Sequence, residues 1–234
     1  RRVLFRSVKS RFENFGKYQD FIDKDNLYLF HSLLSSSINI GLLQPLQIIE
    51  FIRPYEKKIN INSYEGYIRQ LYWREYQRYC YIYCDFNKNY FGLKKKLGDE
   101  WYTGNTGTPI VDDLIKLGFD TGYIHHIGRL MVIGNFMVLN EIDPEEGYKW
   151  FMEFSIDSYE WVMKQNVLDM VFCVTGGETM RKPYISSSNY VLKMSNYDKG
   201  KWTSNWDKLY YDFQKNHKEQ LWKFRYHFPY LRKL

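Results

Sequence analysis

Alanine is absent from all 234 residues. Ile, Asn, Lys and Tyr fill its place, the signature of coding biased toward A and T, so the 19% aromatic content carries no functional meaning by itself. Cysteine is nearly as scarce: Cys80, Cys84 and Cys173 are too few for a disulfide framework. The i, i+4 spacing of Cys80 and Cys84 suits half of a metal site or two core thiols, and no further Cys or His stands beside them. No apolar run is long enough to span a membrane. The opening RRVLFRSVKSRFENFG is basic and periodic, as if continuing from a longer chain, and lacks the apolar stretch of a secretory signal. These features lead us to expect an intracellular protein. Also missing are G-x-G-x-x-G, a Walker loop, a G-x-S-x-G elbow, HExxH and a Cys–His nucleophile signature. Nucleoside-triphosphate and hydrolytic chemistry therefore have no positive support. A net charge of +6 favours a polyanionic partner without specifying one.

What is present is helical periodicity. Apolar spacings of three and four recur, with Gly and Pro at the joints. Ser63 is placed to cap a helix running to about Tyr83, and Pro109 to begin another after the turn-rich 104–109 loop. A helix from about Gly122 to Leu139 carries His125, His126 and Arg129. Asp143-Pro144-Glu145-Glu146 is a compound helix start. Residues 176–204 read as loop-rich, and the chain turns basic and helical after Trp206.

Four constellations stand out. Gln70, Trp73, Arg74 and Gln77 share one helical face, which Tyr67 extends by a turn. Such an Arg either braces a planar or anionic ligand or pairs with a core carboxylate. His125 and His126 are consecutive, about a third of a turn apart, in a greasy segment with Arg129 one turn on. They are satisfied core histidines or part of a site. Asp157 and Glu160 lie among Phe, Met, Trp and Val, and a buried Asp needs a cation, for which Arg129 is the candidate. HSLLS at 31–35 offers two hydroxyls suited to phosphate or to ordinary capping.

In this order the pieces resemble the FAD-binding half of the photolyase/cryptochrome family, in the branch of iron–sulfur bacterial cryptochromes and (6-4) photolyases. The stretches that carry the resemblance are FGKYQDF (15–21), LFHSLLSSSINIGLLQP (29–45), GYIRQLYWREY (66–76), YIHHIGRLMVIGNF (123–136), GYKWFMEFSIDSYEWV (147–162) and KPYISSSNYVLKMSNY (182–197). The resemblance implies an all-α helical domain over residues 1–234 without the family's N-terminal α/β antenna domain, residues 1–14 being an inter-domain linker helix. It implies FAD as cofactor, with His31, Ser32, Leu33, Leu34 and Ser35 receiving the phosphates. Gln70 and Arg74 would contact the flavin, Arg129 and Asp157 would pair beside the isoalloxazine, and Tyr159 and Met163 would complete the site. Trp73, Tyr184 and Tyr190 would face the substrate. His126, with His125 beside it, would move a proton near the lesion, and Trp150 would be the first aromatic of the chain that reduces the flavin.

The implied activity is light-driven repair of UV-damaged DNA by electron transfer to a flipped lesion, of (6-4) type. Its alternatives are a cryptochrome-like sensor or degenerate flavoprotein, and a helical nucleic-acid-binding or assembly module that keeps the fold without the cofactor. The implied partners are damaged DNA and an antenna domain on a separate polypeptide, unless the chain is a fragment. Three departures qualify the resemblance. The branch's four cluster cysteines are replaced by Ile110, Asp198, Lys201 and Ser204, so no iron–sulfur cluster is expected. Met163 stands where a polar residue faces flavin N5. Phe151 and Tyr102 replace the usual Tyr and Trp beyond Trp150.

Overall fold

With no alanine to supply helix propensity, the helices of this chain depend on caps and buried faces. A computed structural model describes residues 2–26 and 28–233. The limits of the expected 1–234 domain, Arg1 and Leu234, lie outside the described residues. The elements are α1 (Arg2–Tyr18), α2 (Ser35–Asn39), α3 (Pro45–Ile52), α4 (Ile61–Tyr83), α5 (Glu100–Thr103) and α6 (Pro109–Thr121). A π-helical run, Gly128–Gly134, leads into α7 (Asn135–Leu139), followed by α8 (Pro144–Phe154). Next, α9 (Glu160–Met163) continues into a second π run, Lys164–Val171, before α10 (Ser188–Lys193), α11 (Lys201–Asn216) and α12 (Lys218–Trp222). Among the described residues no β-strand forms beyond two isolated bridges, and no helix is long and apolar enough to cross a membrane.

Several joints follow the sequence. Asp143 accepts from the backbone N–H of Glu145 (2.9 Å) and Glu146 (3.4 Å), with Pro144 opening α8. Pro109 opens α6, which ends on Gly122 at φ +69; a Cβ there would lie 2.6 Å from Ile156 Cγ2. Other joints depart from expectation. The cap of α4 is Asn60, which accepts from Asn62 N–H at 2.8 Å. Ser63 lies inside the first turn, 1% exposed, donating to the Glu13 carbonyl (2.6 Å) and accepting from Gly16 N–H (2.9 Å). Its hydroxyl docks α1 on α4, so Ser63→Ala should destabilise by about 1–3 kcal/mol in urea unfolding, the cost of stranding a buried N–H. The helix expected from Gly122 begins only at His126, because Gly122 ends α6 and residues 123–125 lie outside any helix. The His125 carbonyl only accepts the first helical bond, from Arg129 N–H (3.2 Å). His125 therefore precedes the helix instead of sharing it with His126. The expected loop 176–204 contains α10 and the start of α11.

The apolar faces collect in two cores. The smaller joins α1, α3 and the first half of α4 through Leu4, Val8, Phe12, Phe15, Ile48, Ile52 and Tyr67. The larger gathers α6 through α11 around Trp150, Phe151, Met137, Phe172 and Trp206. In the larger core the two π runs pack closely: a Cβ at Gly134 would meet Val171 Cγ1 and Cγ2 at 2.7 Å.

Candidate functional site

A cavity of about 300 Å³ lies where the two cores meet. Phe15, Ile38, Tyr67 and Leu71 wall it from the smaller core, and Ile124, Leu130, Phe151, Met163 and Val167 from the larger. Both π runs contribute, placing Arg129 on one wall and Asn166 and Val167 on another. A π run widens the turn and re-aims side chains, a distortion that clusters at functional sites.

Polar groups cross between the cores at one node. Asp157 accepts from Arg129 Nη2 (2.9 Å), Ser155 Oγ (2.6 Å) and, from the smaller core's side, Ser35 Oγ (2.7 Å). Its backbone carbonyl accepts from Asn39 Nδ2 at 2.9 Å. Burial works against ionisation of this carboxyl, but Arg129 and the two hydroxyls outweigh it and hold the pKa below its ordinary value. Arg74 pairs with Glu75 (2.9 Å), donates to Asn39 Oδ1 (3.2 Å) and stacks 4.6 Å from the Trp161 ring centroid. Its charge thus stays at the cavity wall, on a rim carboxylate and an aromatic face.

Three imidazoles cluster near this node, His31 and His126 in the cavity lining and His125 buried outside it. His31 and His125 stack with centroids 4.7 Å apart and planes 13° from parallel. His31 Nε2 and His125 Nδ1 are buried without a hydrogen-bond partner. Burial lowers the pKa of His31 to about 4, with His126 and Arg11 adding to it, and that of His125 to about 3, with His31, His126 and Arg129 adding. His126 is exposed on the cavity wall, and the surrounding protein mass together with Arg129 lowers its pKa to about 4. Burial and the neighbouring positive groups favour the neutral form of all three, and a neutral imidazole has one donor and one acceptor nitrogen.

Of the residues singled out in the sequence, His31, Ser32, Leu33, Ser35, Gln70, Trp73, Arg74, His126, Arg129, Asp157 and Met163 line this one cavity. Leu33 is left-handed at φ +58, a strained conformation for a branched residue that sends Leu34 into the smaller core and leaves Ser32 and Ser35 on the cavity side. Leu34, 1% exposed, does not reach the cavity. Trp150 is fully buried behind Phe151, with ring centroids 5.0 Å apart. Tyr159, 37% exposed, occupies the N-cap position of α9. Tyr184 and Tyr190 pack against the larger core outside the lining.

Other lining residues escaped the sequence reading. Asn39 lies four residues beyond Ser35, and Asn166 three beyond Met163, so helical spacing could have found both. Asp20, also in the lining, had no local signal, nor did Trp161, which lies outside the lining beneath Arg74. Among the described residues no cluster of three His, Cys, Asp or Glu could hold a metal ion.

Residues 67–227 match a family model described as the FAD binding domain of DNA photolyase. A (6-4) photolyase of Agrobacterium fabrum (strain C58 / ATCC 33970) is 40% identical over 190 residues, covering 79% of this chain and 38% of that protein. An uncharacterized protein of Acanthamoeba polyphaga mimivirus is 61% identical over 84 residues, covering 36% of this chain and 68% of its own length. Among solved structures, a bacterial class III photolyase from Agrobacterium tumefaciens superposes with a TM-score of 0.66 at 20% identity, covering 82% of this chain and 43% of the photolyase chain. The chain thus spans less than half the length of either photolyase.

Proposed function

The chain belongs to the family of photolyase FAD-binding domains, and on that premise we propose that it holds FAD in the cavity between its two cores and serves light-driven repair of UV-damaged DNA of the (6-4) type. One observation carries the reading: Ser35, Arg74, His126, Arg129, Asp157 and Met163, drawn from separate segments, converge on one cavity. The donor set fits the cofactor. His31, Ser32 and Ser35 offer polar groups to a diphosphate from one stretch of the lining, and His31 Nε2 is unpartnered there. Arg74, Gln70 and the Arg129–Asp157 pair offer charge and an amide to a flat heteroaromatic ring.

Bound, reduced and excited by blue light, FAD would supply the electron that starts lesion rearrangement. The chain's own residues do the rest. Leu130, Phe151 and Val167 exclude water from the cavity. Asp157 fixes the Arg129 guanidinium through its 2.9 Å bond. Trp73 and the two tyrosines, Tyr184 and Tyr190, would receive the extruded base. His126, neutral as the site stands, gains a proton when a polyanionic substrate raises its pKa, and gives it up at the lesion. An antenna-bearing polypeptide is part of the same proposal. Met163, 3% exposed on the cavity wall, favours a second reading as a flavoprotein sensor, since a thioether cannot relay a proton at the flavin edge.

The test is purification with bound FAD, followed by illumination with a (6-4) lesion in duplex DNA. His126→Ala should retain FAD and lose repair. Loss of FAD in that variant would make His126 a cofactor contact, and unaltered repair would remove it from the chemistry. FAD-loaded, reduced protein that leaves the lesion intact favours the sensor.

A further inference from the structure

The cavity wall has no spare positive charge for a dianion. Its charged side chains are Arg74, Arg129, Asp20 and Asp157, two of each sign. Both guanidiniums are already paired, Arg129 with Asp157 and Arg74 with Glu75, each at 2.9 Å. A diphosphate leaving water for this wall keeps its two negative charges, and buried charge is costly unless compensated. Among the described residues, His31 is the lining residue with a buried, unpartnered side-chain nitrogen, Nε2. Its surroundings keep that ring from holding a charge alone. From α1, Arg11 donates to the His31 carbonyl at 2.9 Å, and the Phe15 ring meets the imidazole edge-on at 6.0 Å. From α4, the Tyr67 hydroxyl bonds to the adjoining Ser32. From the 123–126 segment, His125 stacks on the ring at 4.7 Å and His126 lies close by. Burial, Arg11 and a protonated His126 all oppose an imidazolium at His31, and no carboxylate among the described residues favours one. An anion beside Nε2 would supply the missing counter-charge.

On the reading that FAD occupies this cavity, we propose that His31 holds the diphosphate as an imidazolium, taking up one proton from solvent as the cofactor enters. In the same proposal His125 is a positioning residue, stacked on His31 from outside the lining so that the ring cannot turn away. No bond in the cofactor changes: one proton leaves the buffer and resides on the imidazole, offsetting one of the two phosphate charges. Ser32 and Ser35 add hydrogen bonds to the diphosphate but no charge. A second proton does not follow. His125 is 3% exposed, and two positive rings 4.7 Å apart repel each other. The competing arrangement is a neutral His31 with its one hydrogen on Nε2, which donates to a phosphate oxygen without supplying charge.

Calorimetric titration of FAD into the flavin-free chain, in buffers of different ionisation enthalpy, counts the protons taken up. The expected result near pH 6 is about one proton per FAD, with affinity falling about tenfold per pH unit as the pH rises. The sign follows from linkage: the complex carries a proton that the free chain, with His31 at about 4, does not. His31→Gln keeps an N–H donor but cannot take a charge, so it should bind FAD more weakly and lose both the uptake and the pH dependence. His126→Ala should keep the uptake, which separates the two lining imidazoles. His125→Phe keeps a flat ring on the stack and should keep the uptake, whereas His125→Ala should lower it. FAD bound without proton uptake, or uptake undiminished in His31→Gln, overturns the imidazolium. Uptake lost in His125→Phe would place the proton on His125 and overturn the assignment as well. Equal uptake in His125→Ala and the unsubstituted chain removes the positioning role. Should the unsubstituted chain fail to bind FAD at all, the reading of the cavity falls together with the proposal.

Discussion

Asp157→Ala is expected to cost about 3–5 kcal/mol of stability and to empty the cavity of FAD, because it removes the carboxylate paired with a largely buried guanidinium. The side chains of Arg129 and Asp157 are 15% and 13% exposed. Without the carboxylate, Arg129 keeps its charge and, among the described residues, the Ile124 carbonyl alone as a hydrogen-bond acceptor. Ser35 Oγ loses its acceptor too, and with it one of the two side-chain bonds that tie α2 to the far side of the cavity. Asp157→Asn separates charge from shape: it keeps an acceptor for one hydroxyl but not the ion pair, so it should fall between the two. The pH dependence follows from the lowered pKa. A carboxylate held below its ordinary value stabilises the fold above the unfolded pKa of about 4 and loses that contribution as pH falls through the folded pKa. The gap between the unsubstituted chain and Asp157→Ala should thus be constant near neutrality and shrink below about pH 4. Urea unfolding across pH, with flavin occupancy by absorbance, checks both. Equal midpoints at pH 7 would mean the pair contributes nothing.

The Arg129–Asp157 pairing could be anticipated in the sequence because it follows from a local rule: a buried carboxylate needs a cation, and few were available in apolar segments. The Gln70, Trp73, Arg74 and Gln77 face was equally legible, since helical spacing alone puts those four side chains on one wall. What the sequence concealed depends on distant packing. Ser63 looked like a cap because its local neighbours suit one, and only the approach of α1 turns its hydroxyl to Glu13 and Gly16. His125 and His126 looked like helical neighbours because nothing local announces that Gly122 halts the preceding helix and delays the next. Neither π run has a spacing signature, since an added residue per turn shifts the apolar period only slightly. The stack of His31 on His125 joins residues 94 positions apart, and no periodicity reaches that far.

Asp169→Ala should be about as damaging to the fold, by roughly 3 kcal/mol or more, although Asp169 never touches the cavity. The residue is fully buried in the second π run and is held by neutral donors rather than by a cation. Its Oδ1 accepts from Thr175 N–H (3.0 Å) and Thr175 Oγ1 (2.7 Å), and its Oδ2 from Thr179 Oγ1. The chain between them is wound tightly around the carboxylate, with Cys173 left-handed at φ +54 and Gly176 and Gly177 at φ +70 and +95. A non-glycine in that region is strained, and the Asp169 bonds across the turn are what offset the strain. The turn also reaches the cavity. The Thr179 carbonyl accepts from Tyr76 OH at 3.1 Å, and the Tyr76 ring lies 5.0 Å from Trp73, a cavity-wall side chain. Alanine at 169 strands one buried N–H and two hydroxyls and frees the turn, so Trp73 loses its backing along with the loss of stability. Asparagine keeps one acceptor for Thr175, and the Thr179 hydroxyl can rotate to accept from its amide. Asp169→Asn should therefore recover much of the stability and of any Trp73-dependent substrate affinity. Equal unfolding midpoints for the alanine and asparagine variants would show that the turn holds itself without the carboxylate.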